Sequence, residues 1–182
     1  CYGIKLSNST NNTFKTNRIS NQKNAGFSLE NLSHNNTIAN MHLFDNQHGI
    51  ELFSGGLNNV VNNTIFSNSR TGIYLLSSDN NLITRNNVTK NGDFGIILWF
   101  SNNNIISYND FRNNNQSWRA EFNSTGNEFI GNVNSFKDKI NEIPYPVFFG
   151  MLVSVELICY FLVIRPKERK KKSSLTLKSV VE

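Results

Sequence analysis

Acid–base chemistry on sugars needs clustered carboxylates, or a carboxylate beside a basic residue. The acids of residues 1–134 are scattered instead: Glu30, Asp45, Glu51, Asp79, Asp93, Asp110, Glu121 and Glu128. Glu30 and Glu51 come nearest to a pair, but on an outward surface with nothing to raise either pKa they read as solvated. No catalytic residue is assigned. His34, Met41, His42 and His48 fall within one short stretch, and imidazole and thioether groups suit copper. Ligands must converge, however, and the repeat described below sends these four in different directions, so they stay weak candidates and no metal or cofactor is expected. The stronger feature is apolar. Phe53, Leu76, Trp99 and Phe122 recur at intervals of 23, with Tyr74 and Ile97 beside them. An apolar stripe on outward strand positions marks a contact surface, and flat aromatics bind sugars or proteins. Phe53, Tyr74, Trp99 and Phe122 are therefore the candidate ligand-binding residues.

What must position these residues is an internal repeat. Glycine stands at Gly3, Gly26, Gly49, Gly72 and Gly95, always 23 apart. Asn12, Asn35, Asn58, Asn81, Asn104 and Asn127 form a second column, and Asn17, Asn40, Asn63, Asn86, Asn109 and Asn132 a third. Four apolar columns share the period: Ile4 to Ile96, Leu6 to Leu98, Phe14-Thr37-Val60-Ile83-Ile106-Phe129, and Ile19-His42-Ile65-Val88-Phe111. Apolar residues two apart within G-I-x-L mark a strand with one buried face. Asn and Gly tolerate the left-handed backbone of sharp corners.

The pattern predicts an all-β fold, a right-handed parallel β-helix of about six 23-residue coils over 1–134. Stacked ~4.8 Å apart, identical residues sit above one another, and the Asn columns become amide ladders. The sixth coil departs from the pattern, with Trp118 at the Gly slot, Arg119 at the apolar slot and Asn134 in the fourth core column, as terminal repeats do. The first coil enters the pattern at full strength, so further coils or a cap are expected before Cys1.

After a linker over 135–146, residues 147–164 read VFFGMLVSVELICYFLVI, long enough to span a bilayer as one C-terminal helix. Glu156 is its one charge and carries a default expectation of function or assembly. The tail, 165–182, holds seven basic and two acidic residues and so accounts for the whole formal charge of +5. Residues 1–164 carry 11 basic and 11 acidic residues and sum to zero, which gives no ground for nucleic-acid binding by the main domain. The basic cluster after the apolar run predicts a cytoplasmic tail and a β-helix outside the cell membrane, single-pass. N-x-S/T sequons occur at Asn8, Asn11, Asn31, Asn35, Asn62, Asn87, Asn115 and Asn123. Asn35, placed in a ladder column, reads as too constrained for a glycan.

The G-I-x-L and N-x-I-x-x-N units over residues 2–134 resemble the parallel β-helix repeats of carbohydrate-binding proteins and sugar hydrolases, most closely the NosD type. Asn-rich repeats followed by a membrane helix are similar to archaeal cell-surface proteins. Gln47-His48-Gly49 resembles the His-Gly of pectin hydrolases, without their paired aspartates. The resemblance implies three functions: an extracellular scaffold or binding module for polysaccharide or neighbouring surface proteins, a polysaccharide-processing enzyme with its catalytic coils upstream, or a periplasmic copper-binding protein.

Overall fold

Alternation of apolar and polar residues builds short strands, and a residue in the left-handed region ends nearly every one. The computed structural model describes residues 1–134. In chain order the strands are β1 (Ile4–Ser7), β2 (Thr13–Lys15), β3 (Arg18–Ser20), β4 (Ala25–Glu30), β5 (Thr37–Ala39), β6 (His42–Phe44), β7 (His48–Phe53) and β8 (Asn59–Val61). They continue as β9 (Thr64–Phe66), β10 (Ile73–Leu76), β11 (Leu82–Thr84), β12 (Asn87–Thr89), β13 (Phe94–Trp99), β14 (Ile105–Ser107), β15 (Gln116–Glu121) and β16 (Glu128–Ile130). All pairings are parallel and join each strand to its counterpart one coil away. Three sheets result: β1-β4-β7-β10-β13-β15, β2-β5-β8-β11-β14-β16 and β3-β6-β9-β12. This is a right-handed parallel β-helix of about six coils.

The bore is filled by the expected stacks. Phe27, Ile50, Ile73 and Ile96 are fully buried, as are Leu29, Leu52, Leu75 and Leu98. Each such side chain contributes about 1.5–3 kcal/mol relative to exposure. The column glycines have a steric reason rather than a conformational one. Gly49 is not left-handed; a Cβ there would meet the Ile65 side chain and lie 2.6 Å from the Gly72 carbonyl oxygen.

Two columns differ from the strict period. Thr37 and His42 are not core residues; Ile38 pairs with Phe14 and Leu43 with Ile19, both fully buried, while His42 is exposed. The ladders likewise run through Asn36 and Met41 instead of Asn35 and Asn40, with steps of 24 into this coil and 22 out of it. The cause is one extra residue, Leu32, at the corner after β4 and one fewer before His48. The two changes cancel, so Gly26 and Gly49 keep their spacing while everything between slips by one. Asn31 and Leu32 are both left-handed, at φ 48° and 62°. The same device recurs in the last coil, where Phe122 and Asn123 have φ 52° and 59°. There Trp118 sits in the Ile column opposite Ile96, not in the Gly column, and Arg119 points outward opposite Ile97.

The ladder amides face inward from the corners. Asn63 is typical: its Nδ2 donates to the Ile38 carbonyl (2.9 Å) and to Asn86 Oδ1 (2.9 Å), so one side chain ties three coils together. A third amide ladder, unforeseen from the sequence, runs from Gln22 through Asn46, Asn68 and Asn91 to Asn114.

Among the described residues no helix is long and apolar enough to cross a membrane. The linker 135–146, the apolar segment 147–164 and the tail 165–182 lie outside the described residues.

Candidate functional site

The first sheet turns three columns outward. Parallel in-register pairing stacks Lys5, Ser28, Glu51, Tyr74, Ile97 and Arg119 in the middle column. Phe53, Leu76, Trp99 and Glu121 follow one another in the column beside it. His48 and Phe94 belong to the third column, just before the glycines. Strict alternation would put His48 on the same side as Ile50 and Leu52. It does not, because both Gly49 and Ile50 turn inward, a break that returns His48 to the outer face with Glu51.

The four aromatic candidates are brought together. Phe53 meets Tyr74 edge-on at 5.4 Å between centroids, Tyr74 meets Trp99 at 5.5 Å and Trp99 meets Phe122 at 5.3 Å, all near 90°. This is the favoured geometry for rings whose faces and edges carry opposite partial charge. Phe122 is not in the Trp99 strand column, which Glu121 fills; it reaches Trp99 from the corner and stacks on Phe100 at 5.4 Å.

Beside this ladder a cleft of about 140 Å³ opens between His48, Arg70, Tyr74, Asp93, Phe94 and Trp99. Arg70 and Asp93 form an exposed ion pair at its rim, 3.4 Å apart. Such a pair contributes little to stability and is free to rearrange around a ligand. A second groove, shallow and polar, lies between Gln22, Lys23, Asp45 and Ser69 and has no aromatic wall.

Glu51 is not a solvated surface carboxylate. It is 5% exposed, and its Oε1 lies 3.9 Å from His48 Nε2, itself on an 8% exposed residue. Burial, helped by the nearby charge of Glu30, pushes the Glu51 carboxyl up to about 7, against the pull of Lys5. Burial and the positive charge of Arg70 push His48 down to about 4, against Asp93. Near neutral pH the imidazole is therefore uncharged, and the contact is not a salt bridge. Lys5 is engaged elsewhere: its Nζ is 2.7 Å from Glu30 Oε2. Burial and the Glu51 charge also raise the Tyr74 hydroxyl.

Three buried polar atoms here have no hydrogen-bond partner: His48 Nδ1, Glu51 Oε2 and Trp99 Nε1. Among the described residues the one other such atom is Oδ1 of Asn134, at their very end. A buried polar atom left unpaired costs ~1–3 kcal/mol, so their concentration on one face calls for a hydroxyl-bearing ligand or water. The sequence hid this set because alternation places His48 and Glu51 on opposite faces, and because Arg70 and Asp93 lie on corners outside the repeat columns. The signal that would have found it is the stacking of Glu51 directly beneath Tyr74, one period away.

The four metal candidates do not meet. His34 is at the corner before the second sheet, and its Nδ1 accepts the Gly56 N–H at 3.0 Å. The Met41 sulfur accepts the Asn17 N–H at 3.4 Å inside a ladder. His42 is exposed on the third sheet, while His48 faces Glu51 on the first. Among the described residues no three His, Cys, Asp or Glu side chains are grouped to hold a metal.

The family model described as periplasmic copper-binding protein (NosD) matches residues 1–146, and the chain belongs to that family. Among the described residues no copper centre is formed, since the imidazoles and the Met41 thioether are spread over separate faces. No curated protein sequence matches the chain. Among solved structures, the periplasmic alginate epimerase AlgG superposes with a TM-score of 0.67 at 22% identity, over 72% of this chain and 36% of the enzyme. A single-substitution variant of it gives 0.65 at 21% identity. The likeness is one of fold, and the chain spans about a third of that enzyme's length.

Proposed function

We propose that this NosD-family chain is an extracytoplasmic glycan-binding module, fastened to the membrane by the 147–164 segment, which holds polysaccharide against the outer face of the first β-helix sheet. The observation that carries this is the coincidence of three unpaired buried polar atoms with a four-ring aromatic ladder along one cleft. Vicinal sugar hydroxyls both donate and accept, which suits an imidazole nitrogen, a carboxyl oxygen and an indole N–H. The charges around the cleft are already matched, Arg70 with Asp93 and Lys5 with Glu30, so a neutral glycan is favoured over a polyanion. The cleft is smaller than the ~300–1,000 Å³ of a whole-ligand pocket, so it grips one ring while the ladder supports its neighbours.

Affinity electrophoresis of the full chain through gels containing neutral polysaccharides tests this. Trp99→Ala should weaken retention about thirtyfold, the ~2 kcal/mol of an aromatic anchor, with Tyr74→Ala close behind. Unchanged retention in both would contradict it.

A processing activity is the second reading, favoured by Glu51. A buried carboxyl with its pKa near 7 is suited to donate a proton to a glycosidic oxygen. Glu51→Gln would then abolish turnover and leave binding in place.

A further inference from the structure

The eight sequon asparagines and the ladder asparagines are two separate sets. Every sequon Asn is exposed, while none of the inward-facing ladder Asn residues begins a sequon. The coil geometry explains this. In the first two ladders the position two residues after the ladder Asn is a core position, such as Val60 after Asn58, so a hydroxyl is excluded there; in the third ladder it is filled by His48, Arg70, Asp93 or Gln116, none of which carries a hydroxyl. Two residues after the corner residue that precedes a ladder Asn comes an outward strand position, where Thr fits, as Thr37 follows Asn35. Asn35 is accordingly not the constrained ladder residue; it is exposed at φ 54°, and Asn36 carries the ladder.

The sequon hydroxyls divide as well. Those belonging to Asn8, Asn11, Asn35, Asn62, Asn87 and Asn123 are threonines at exposed or half-buried positions. Those of Asn31 and Asn115 are Ser33 and Ser117, both fully buried. Ser33 is occupied in the structure, its Oγ donating to the Glu30 carbonyl at 2.6 Å. The ridge that borders the aromatic ladder shows a further pattern. Its left-handed corners read Asn8, Asn31, Ser54, Ser77 and Phe100, with Asn123 in the last coil. Sequons sit at both ends of this ridge and are missing alongside the cleft.

We propose that the β-helix is N-glycosylated on its exposed corners and strand edges, at Asn8, Asn11, Asn35, Asn62, Asn87 and Asn123, leaving the first-sheet cleft as an unshielded window. In the transfer, the Asn Nδ2 bonds to the anomeric carbon of a polyprenyl-phosphate-linked oligosaccharide. The bond from that carbon to the phosphate oxygen breaks, the phosphate leaves with the electron pair, and the displaced amide proton passes to the transferase or to solvent. The proposal rests on the extracytoplasmic placement above, because such donors are used outside the cytoplasm.

The test is glycopeptide mass spectrometry of the full chain purified from its own host, with protease accessibility on intact cells recorded alongside. The expected result is added hexose-type mass on the six Thr sequons and none on the ladder residues. Transfer after folding leaves Asn31 and Asn115 bare, because their hydroxyls are buried; transfer during synthesis modifies them too, and either outcome supports the corner sites. Thr37→Val, an outward change of similar shape, should remove the mass at Asn35 alone. A chain that is cut from outside yet carries no glycan overturns the proposal while sparing the placement. A chain protected from outside and unmodified overturns both. Modification confined to Asn31 and Asn115 would show that exposure does not govern the site.

Discussion

Two sets of buried polar side chains stand on this β-helix, one along its corners and one on the outer face of its first sheet, and they are treated in opposite ways. In the corner ladders each interior amide is matched. Asn86, for example, accepts from the Asn63 N–H and Nδ2 and donates to the Val60 carbonyl and Asn109 Oδ1, all within 2.8–2.9 Å. On the outer face of the first sheet, His48, Glu51 and Trp99 are also buried or half-buried, yet each leaves an atom unpaired. A matched network specifies a structure, whereas an unmatched one costs stability and is retained where something binds. The ladders are the fold, and the cleft is where its function is sought.

Breaking a ladder should have the largest effect. Asn86→Ala leaves the buried Asn63 N–H without its acceptor, takes one of two acceptors from Asn63 Nδ2 and removes a donor from the Val60 carbonyl and from Asn109 Oδ1, and should cost about 2–4 kcal/mol in chemical denaturation. Gly72→Ala should come next, at about 1–3 kcal/mol, because its Cβ would fall on the Val88 side chain and 2.7 Å from the Gly95 carbonyl oxygen.

The cleft should behave differently, through pH. Glu51 has its folded pKa raised from 4.5 to about 7, so the folded chain keeps a proton the unfolded chain has lost, and stability falls as pH rises across that window. His48 has its folded pKa lowered from 6.5 to about 4, so there the unfolded chain holds the extra proton and stability rises with pH across 4 to 6.5. In the native protein the two slopes oppose each other between pH 4.5 and 6.5 and largely cancel. Single substitutions should expose them. Glu51→Gln leaves a chain that loses roughly 1–3 kcal/mol on acidification from pH 6.5 to 4, after allowance for solvent screening. His48→Gln leaves one that loses a similar amount as pH rises from 4.5 to 7. Thermal melts across this range read both, and parallel profiles for the two variants would contradict the opposite effects of burial on the two groups.

Much of the architecture can be read from the sequence because a β-helix repeats its physics every coil. The Ile and Leu columns, the inward glycines and the aromatic stripe all follow from a period of 23. What escapes is any change that conserves the period while altering phase. Leu32 and the missing residue before His48 cancel, and the doubled Asn35-Asn36 and Asn40-Met41 steps offer a plausible residue in either register. Hence His42 reads as core although Leu43 fills the bore. The site escapes for a related reason. Burial of Glu51 comes from neighbours one coil away, and its companionship with His48 depends on a local break in alternation at Gly49 that no spacing rule contains. The aromatic ladder was legible because Phe53 and Trp99 share one column and Tyr74 stands in the next, although Phe122 joins it from the corner; the polar atoms beside it were not.

The chain contains two tryptophans, Trp99 in the cleft and Trp118 in the last coil, so ¹⁵N-indole labelling gives two side-chain signals. Titration of the full chain in detergent with neutral oligosaccharides should shift the Trp99 Nε1–H signal progressively and leave Trp118 unmoved. An unmoved Trp99 across a panel of neutral glycans, or movement of Trp118 alone, would contradict the cleft as the binding site.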